Sequence, residues 1–324
     1  MIDYSQHPLN KKYDLDTALT AIWEFYKKWF GSLIIIAFVF SLVTTYLAGR
    51  IDISGLYSVT DPEEMMDIVK SMLGPYSLIL LFTFVFSLVL QYYIIRKPVD
   101  PDSNIFTIGT QGLVKFFLPL LALTILLSVF AVFALMIGVV LLFIGALFAS
   151  VYIVLLYAFI VPVLMIEDKG ISHTITESLR LAHKRFWPNI GWATVFIILL
   201  MVISFILGAI IMIPFGGSFF RSILNPDNAA SEMLNFSSKP SFIVLNAISN
   251  ALTMPLFPIF SLVLYFNARS DYSAEGISKA TPGDDEGGVK IEDLYADMAD
   301  KNKKGNKRKD ESAPPSIEDL MPKK

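Results

Sequence analysis

Long runs without a charged side chain recur through the first 268 positions of the chain. The runs that lack Asp, Glu, Lys and Arg cover residues 29–49, 71–95, 116–166, 186–220 and 240–268. Because about 20 apolar residues at a rise of ~1.5 Å cross the ~30 Å hydrocarbon core of a bilayer, each run is long enough for a transmembrane helix. The pattern therefore predicts membrane spans rather than a soluble core.

The third run is long enough for two spans, because a straight helix of its length would extend more than twice the thickness of the hydrocarbon core. We expect the chain to fold back near Gly138, which gives six spans. Unpaired backbone groups are costly in lipid, and the runs lack the alternation of barrel strands, so the spans should be helices. The predicted fold class is all-α, a polytopic membrane protein with six transmembrane helices.

Lysine and arginine are concentrated on one side of the predicted spans. They occur before the first span, between the second and third, and between the fourth and fifth, at Lys11, Lys12, Lys27, Lys28, Arg96, Lys97, Lys115, Lys169, Arg180, Lys184 and Arg185. The tryptophans mark the starts of the first and fifth spans on this same side, at Trp23, Trp29, Trp187 and Trp192. Because positively charged loops stay in the cytoplasm and tryptophan favours the headgroup layer, both termini should be cytoplasmic.

A short cluster of one basic and two aromatic residues precedes three of the spans. Its copies are Lys28-Trp29-Phe30, Lys115-Phe116-Phe117 and Arg185-Phe186-Trp187. An N-cap candidate stands upstream of each copy, namely Asp16, Ser103 and Ser172. We interpret the chain as three repeats of a surface amphipathic helix followed by a transmembrane hairpin. The alternative is convergence, since any helix that begins on the basic side of a membrane acquires such residues.

Composition and charge divide the chain into three parts. Residues 1–13 form an N-terminal cytoplasmic segment, 14–268 a six-helix membrane domain, and 269–324 a tail rich in charged and turn-forming residues. The tail has too few apolar residues to offset the entropy of ordering and is predicted to be disordered. The net charge of −3 is too small to imply an acidic or basic partner, and no nucleic-acid partner is expected. The absence of cysteine excludes disulfides, thiolate metal sites and cysteine nucleophiles.

Two local patterns predict further features of the membrane domain. Asp61 followed by Pro62 and two glutamates is typical of a helix start, which predicts an outer surface helix over 62–73. Pro255 and Pro258 lie in the last span and predict a discontinuous helix there.

One group of side chains suggests chemistry at first sight. His173 and Glu177 are spaced four apart on one predicted helix, with Arg180 and His183 further along. A metal or acid–base site would need partners from a second element, and no other cytoplasmic segment has a cluster of His, Asp and Glu. We therefore predict a solvated helix face here, no metal, no cofactor and no enzymatic activity.

The basic and aromatic residues beside the spans are the candidate lipid contacts. Their cations could attract anionic headgroups while their rings lie in the interface. The predicted lipid and interface residues are Lys27, Lys28, Trp29, Lys115, Lys184, Arg185 and Trp187. The alternative is that these residues only orient the protein in the membrane.

The predicted tail contains one exact repeat of an acidic and apolar tetrapeptide. Its two copies are Ile291, Glu292, Asp293, Leu294 and Ile317, Glu318, Asp319, Leu320. Short amphipathic peptides of this kind can fold in a partner's groove, and two copies can raise avidity. The repeat predicts binding to a cytoplasmic or membrane protein, and chance repetition is the alternative.

Residues 161–192 carry a resemblance to a known group of proteins. Pro162 in an apolar run is followed by Glu167, an amphipathic stretch over 175–181 and the aromatic pair Phe186-Trp187. This pattern resembles a group of bacterial six-helix integral membrane proteins of uncharacterised function, related to the membrane domain found ahead of some glycerophosphodiester phosphodiesterases. The resemblance implies a helical module of the bacterial inner membrane with no established activity. Residues 269–324 are too few for the (β/α)₈ barrel of that enzyme, which needs ~250 residues.

These patterns lead to an expected function and one alternative. We expect a non-enzymatic inner-membrane protein that organises lipids or membrane partners. The predicted spans contain no Asp, Glu, Lys, Arg or His near mid-depth, where ion-coupled transporters place such groups. The alternative is a transporter or channel for a neutral or lipid-like solute. A laterally open cavity between the hairpins would favour transport, whereas a bundle packed throughout would favour a scaffold.

Overall fold

The computed structural model describes residues 4–51, 61–141, 144–217 and 238–279, with 271–279 described by their backbone alone. The α-helices of this part are α1 (Leu15–Lys28), α2 (Phe30–Ala48), α3 (Pro62–Arg96), α4 (Ile105–Val140), α5 (Ile144–Pro162), α6 (Ile171–Lys184), α7 (Phe186–Met212), α8 (Pro240–Thr253) and α9 (Leu256–Lys279). A π-helical turn, Val163–Glu167, follows α5, and a 3₁₀ turn, Ile213–Phe215, follows α7. The described residues contain no strand.

The prediction of an all-α membrane protein with six transmembrane helices is confirmed. Within the described residues, six helical segments are long and apolar enough to cross a membrane: Phe30–Ala48, Pro62–Arg96, Ile105–Val140, Ile144–Glu167, Phe186–Phe215 and Pro240–Ser270. The chain folds back between α4 and α5, next to Gly138 as predicted. A Cβ atom on Gly138 would lie 2.6 Å from the backbone nitrogen of Ala146, so the two helices approach too closely here for any side chain.

The predicted N-cap residues were misplaced by one or two positions: Asp16 and Ser172 lie too late in the chain and Ser103 lies one position too early. Asp14, not Asp16, caps α1, because its backbone N–H donates to the Thr17 hydroxyl at 2.9 Å in a capping box. The side chain of Asn104, not Ser103, accepts a hydrogen bond from the N–H of Phe106 and caps α4. Ser172 lies inside α6, which begins after Gly170, whose φ of 88° is incompatible with a right-handed helix.

The predicted surface helix over 62–73 is not a separate element. It forms the first turns of α3, which continues through Pro75 to Arg96. The capping prediction itself is confirmed, since the Asp61 carboxylate accepts from the N–H of Glu63 at 3.0 Å. Pro75 removes one backbone donor, but the apolar residues that follow keep the helix going across the membrane.

Two of the three basic and aromatic clusters coincide with a break between helices. α1 and α2 are separated by Trp29 alone, and α6 and α7 are separated by Arg185 alone. The middle cluster lies inside α4, which is continuous from Ile105 through Pro119 to Val140. The threefold repeat of surface helix and hairpin therefore stays a prediction.

The core of the membrane domain is formed largely by the second half of α3, by α5 with its π turn, and by α9. Their fully buried side chains include Leu88, Ile94, Leu155, Phe159, Leu164 and Ile259. α2 packs against α8, α4 packs against α3 and α5, and α5 also contacts α6 and α7. Few residues of α4 and α7 are buried, as expected of helices that face hydrocarbon.

The last span is interrupted at the predicted position. α8 ends at Thr253 and α9 begins at Leu256, with Pro255 between them. α9 then extends past residue 268, the predicted end of the membrane domain, and the compact unit of the fold ends at Ser273. Arg269 therefore belongs to a membrane helix rather than to the tail. The tetrapeptides at 291–294 and 317–320 lie outside the described residues.

Candidate functional site

The segment before α1 and the helix α6 both contact α9 between Asn267 and Arg269, and we name this end of the bundle the joint end. The backbone N–H of Tyr13, just before α1, donates to the Asn267 side-chain oxygen at 2.9 Å. Nη1 of Arg269 lies 2.9 Å from Oε1 of Glu177 on α6. The joint end therefore brings together the two helices that precede the breaks at Trp29 and Arg185.

A cavity of about 290 Å³ opens between these elements at the joint end. We name it the basic cavity. It is lined by Lys12, Tyr13, Asp14, Leu15, Leu181, Lys184, Arg185, Pro188, Asn189, Trp192, Asn267 and Ala268. Three of these lining residues are basic and one, Asp14, is acidic, so the lining carries a net positive charge. The arrangement suits an anionic group.

Two asparagines hold the walls of the basic cavity. The amide nitrogen of buried Asn189 donates to the carbonyl oxygens of Leu181 and Ala182, at 3.0 and 3.2 Å. These carbonyls belong to the last turn of α6, where no following helical N–H group is present to donate to them. Asn189 thus fixes the turn between α6 and α7 and positions Lys184 and Arg185. Asn267 ties the segment before α1 to α9, because its side-chain oxygen accepts a hydrogen bond from the Tyr13 N–H.

The other predicted lipid residues lie elsewhere on the protein. Nζ of Lys28 lies 6.0 Å from the ring centre of Trp29, and Trp187 is exposed. Lys27 sits over the ring of Trp23 at 5.9 Å. Lys115 forms an ion pair with Asp168 and lies over the Phe116 ring at 5.3 Å. Of the predicted lipid residues, only Lys184 and Arg185 line the basic cavity.

The α6 face that carries Glu177 is not solvated, which corrects the sequence-based expectation. The side chains of Glu167 and Glu177 are 7% and 5% exposed. Arg269 contacts both carboxylates, and Arg180 also pairs with Glu177 at 2.6 Å. The burial is possible because guanidinium groups compensate the buried negative charge.

Two further side chains complete this ion-pair network. Nε2 of His173 lies 2.7 Å from Oε2 of Glu167, and the Tyr265 hydroxyl donates to Oε1 of the same carboxylate at 3.0 Å. The network joins α6, the π turn and α9, and its two carboxylates face two guanidinium groups. Such a charge-balanced cluster suits a structural connection. In the described part of the chain, no group of three or more His, Asp or Glu residues is arranged to hold a metal ion.

The segment before α1 also packs into the joint end. The ring of His7 is buried between those of Phe25 and Phe266, with centroid distances of 5.9 and 5.2 Å. Its Nδ1 accepts a hydrogen bond from the N–H of Leu9 at 3.2 Å. Burial lowers the pKa of His7 to about 4, because the charged imidazolium would lose its hydration. His7 is therefore neutral in the folded protein at neutral pH.

A second cavity, of about 550 Å³, lies at membrane depth between α4, α5 and α7, and we name it the lateral cleft. It is lined by Thr124, Leu127, Ser128, Ala131, Ile153, Val154, Tyr157, Ile197, Leu200, Met201, Ser204 and Phe257. Met201 on its rim is 66% exposed, so the cleft opens toward the surrounding lipid. An apolar compartment of about 310 Å³ shares Leu127 with the cleft and reaches Ile175 and Leu179 on α6.

Polar groups in the lateral cleft are limited to a few hydroxyls. They belong to Thr124, Ser128, Tyr157 and Ser204. The hydroxyl of Tyr157 accepts a hydrogen bond from the amide of buried Gln91 at 3.2 Å. A cleft with this lining suits an apolar molecule better than an ion.

Comparison of the chain with models of protein families, with curated proteins and with solved structures finds no match.

Proposed function

We propose that this chain is a non-enzymatic, multi-pass protein of a bacterial inner membrane that organises membrane lipids. The lateral cleft is the observation that carries the proposal. Its volume lies within the ~300–1,000 Å³ typical of small-molecule sites, and it opens to lipid between two helical hairpins. An acyl chain or another apolar chain is the ligand that such a lining favours.

The joint end supports the same proposal. α6 packs its Thr174, Glu177 and Ser178 face against the bundle, which leaves Ile171 and Leu179 about 40% exposed. Apolar residues displayed on a helix beside the span ends suit the interfacial layer of a membrane. The excess of Lys and Arg at this end agrees with a cytoplasmic location of both termini.

Lipid retention by the purified full chain tests this function. Ala131→Phe fills the lateral cleft, whereas Val132→Phe places the same side chain at the neighbouring exposed position, outside the cleft lining. Both proteins are purified in mild detergent and their bound lipids are counted by native mass spectrometry. We expect fewer lipid molecules per chain in the Ala131 variant than in the Val132 variant. Equal lipid retention by the two variants would argue against the cleft as a lipid site.

Transport of a neutral or lipid-like solute is the second candidate. We place it second because the lining of the lateral cleft comes from the middle of α4, α5 and α7 and from Phe257, so the cleft by itself is not a path across the membrane. The lateral opening between α4 and α7 favours it, because a lipid could enter the cleft from the bilayer. Reconstitution into vesicles with a fluorescent phospholipid separates the two functions. Transport predicts faster exchange of the probe between leaflets for the wild type than for the Ala131→Phe variant. Lipid organisation predicts retention without such exchange.

Recruitment of a protein partner by the tail is a further part of the proposal. It is supported by the sequence repeat at 291–294 and 317–320. Replacing both tetrapeptides by Gly-Ser sequences should remove one or more proteins from those that co-purify with the full chain. An unchanged set of co-purifying proteins would remove the reason for assigning this role.

A further inference from the structure

We infer that the basic cavity binds the phosphate group of an anionic phospholipid, an assignment that rests on the proposed lipid-organising function and names its headgroup site. The cavity collects cations from separate parts of the chain. Lys12 precedes α1, Lys184 ends α6, and Arg185 is the residue between α6 and α7. The fold brings these three charges around one space of about 290 Å³.

The cations that line the basic cavity are of the kinds that bind a phosphate group. Arg185 offers the planar guanidinium fork that matches two phosphate oxygens, while Lys12 and Lys184 add point charges. Arg185 is exposed and has non-helical backbone angles of −128° and 58°, because it forms the break between α6 and α7. The single acidic lining residue, Asp14, is already the N-cap of α1.

The same residues have simpler roles that must be separated from ligand binding. Lys184 lies in the last turn of α6, where a cation stabilises the helix dipole, and all three cations favour cytoplasmic orientation. Neither role requires the cations to surround a common cavity. Neither role requires the hydrogen bonds of Asn189 and Asn267 that hold the walls of the basic cavity.

The position of the basic cavity favours a lipid over a soluble anion. Its wall continues into the first turns of α7, through Pro188 and Trp192, and α7 is one of the spans. Tryptophan at the start of a span favours the headgroup layer, where the phosphates of the bilayer lie. A ligand held here by its phosphate would have its chains beside the exposed apolar surface of α7.

Titration of the full chain with defined phospholipids tests the inference. The protein in detergent is titrated with phosphatidylglycerol and, separately, with phosphatidylcholine, and binding is followed by native mass spectrometry. The test variant is Lys184→Gln with Arg185→Gln, and Lys12→Gln, Arg185→Gln and Arg185→Lys are each tested by themselves. The matched control is Lys11→Gln with Lys169→Gln, which removes two exposed cations of the cation-rich side that do not line the cavity.

We expect the wild type to prefer phosphatidylglycerol. Each lining cation that is neutralised should weaken that binding roughly fivefold, because a Lys or Arg near a membrane surface contributes about 1 kcal/mol. The control should change it by less than about twofold, and Arg185→Lys should lie between wild type and Arg185→Gln. If the double variant does not fold, the preference of the wild type must instead fall as salt is raised, since salt screens ionic attraction.

Three outcomes would overturn the inference. The first is an unchanged preference for phosphatidylglycerol in the Lys184 and Arg185 variant, or a preference of the wild type that salt does not weaken. The second is an equal loss in the control, which would assign the effect to general surface charge. The third is binding of inorganic phosphate as tightly as phosphatidylglycerol, which would assign the cavity to a soluble anion.

The inference and the proposed function can fail separately. If the wild type retains lipid without a headgroup preference, the lateral cleft remains a lipid site and the basic cavity is ruled out as a headgroup site. Retention of no lipid by the wild type would remove the proposed function as a whole.

Discussion

Nη1 of Arg269 lies 2.9 Å from Oε1 of Glu177, which joins the middle of α9 to the middle of α6. The same guanidinium contacts Glu167 at the end of the π turn. Because both carboxylates are almost fully buried, each needs a cation beside it to offset the loss of hydration. This one arginine therefore holds α6 and the π turn against the last span.

Removing the guanidinium of Arg269 should destabilise the fold. Arg269→Gln removes the guanidinium that contacts Glu167 and leaves Glu177 with Arg180, so the free energy of unfolding should fall by about 3 kcal/mol. Arg269→Lys should restore only part of the loss, because one ammonium lacks the fork that contacts both acids. Thermal unfolding of the purified chain in detergent measures the effect.

Arg50→Gln serves as the control for this prediction. Arg50 donates a hydrogen bond to the Tyr46 hydroxyl at 2.7 Å on an exposed surface, so its loss should change stability by no more than about 0.5 kcal/mol. Equal melting temperatures of the Arg50 and Arg269 variants would contradict the role assigned to Arg269.

Acid should weaken the fold through His7. The unfolded chain binds this proton near pH 6.5 and the folded chain near pH 4, so between these values the unfolded state holds more protons. The contribution of His7 to stability is complete above pH 6.5 and is lost as the pH falls to 4, by about 3 kcal/mol in total. His7→Phe should flatten this part of the stability profile. Parallel profiles of wild type and variant between pH 6.5 and 4 would exclude the effect.

Gly138 should tolerate no side chain. Gly138→Ala places a methyl group within 3 Å of the backbone of Gly145 and Ala146, so α4 and α5 must separate at their connection. We expect a loss of about 1–3 kcal/mol, as for other overpacked sites, seen as a lower melting temperature. Gly208→Ala on α7 is the matched control, because no atom lies within 4 Å of its added methyl group. A melting temperature of the Gly138 variant at or above that of the control would be inconsistent with the close approach.

The orientation of the spans can be tested directly because the chain contains no cysteine. Asp16→Cys places a thiol on exposed α1, and Asp67→Cys places one on the exposed first half of α3. An impermeant maleimide should label the first variant from the cytoplasmic side alone and the second from the opposite side alone. Labelling of both variants from one side would refute the proposed topology.

Several features of the fold could be predicted because they depend on neighbouring residues. The length of an uncharged run sets the number of spans, and the long run 116–166 could only be accommodated by a turn near Gly138. The break at Pro255 and the cap at Asp61 also follow from local backbone chemistry. The same local rules misplaced the end of a surface helix at 73, because an apolar segment continues a helix through Pro75.

The candidate site was only partly predictable. Lys184 and Arg185 stand out in the sequence as cations beside a span. Asn189 and Asn267 do not, because their value lies in hydrogen bonds to the end of α6 and to the segment before α1. The sequence around an asparagine near a span does not show which distant backbone group its side chain will hydrogen-bond.

The sequence by itself determined that this is a helical membrane protein, how many spans it has and which side carries most of its cations. These properties depend on the composition of consecutive stretches of the chain, so they can be inferred without any tertiary contact. Only the tertiary structure decided that Glu177 is buried and that Arg269 pairs with it. Burial and pairing depend on which helices contact each other. The spacing of residues along a helix shows which side chains share a face, but it does not show whether water, lipid or another helix lies against that face.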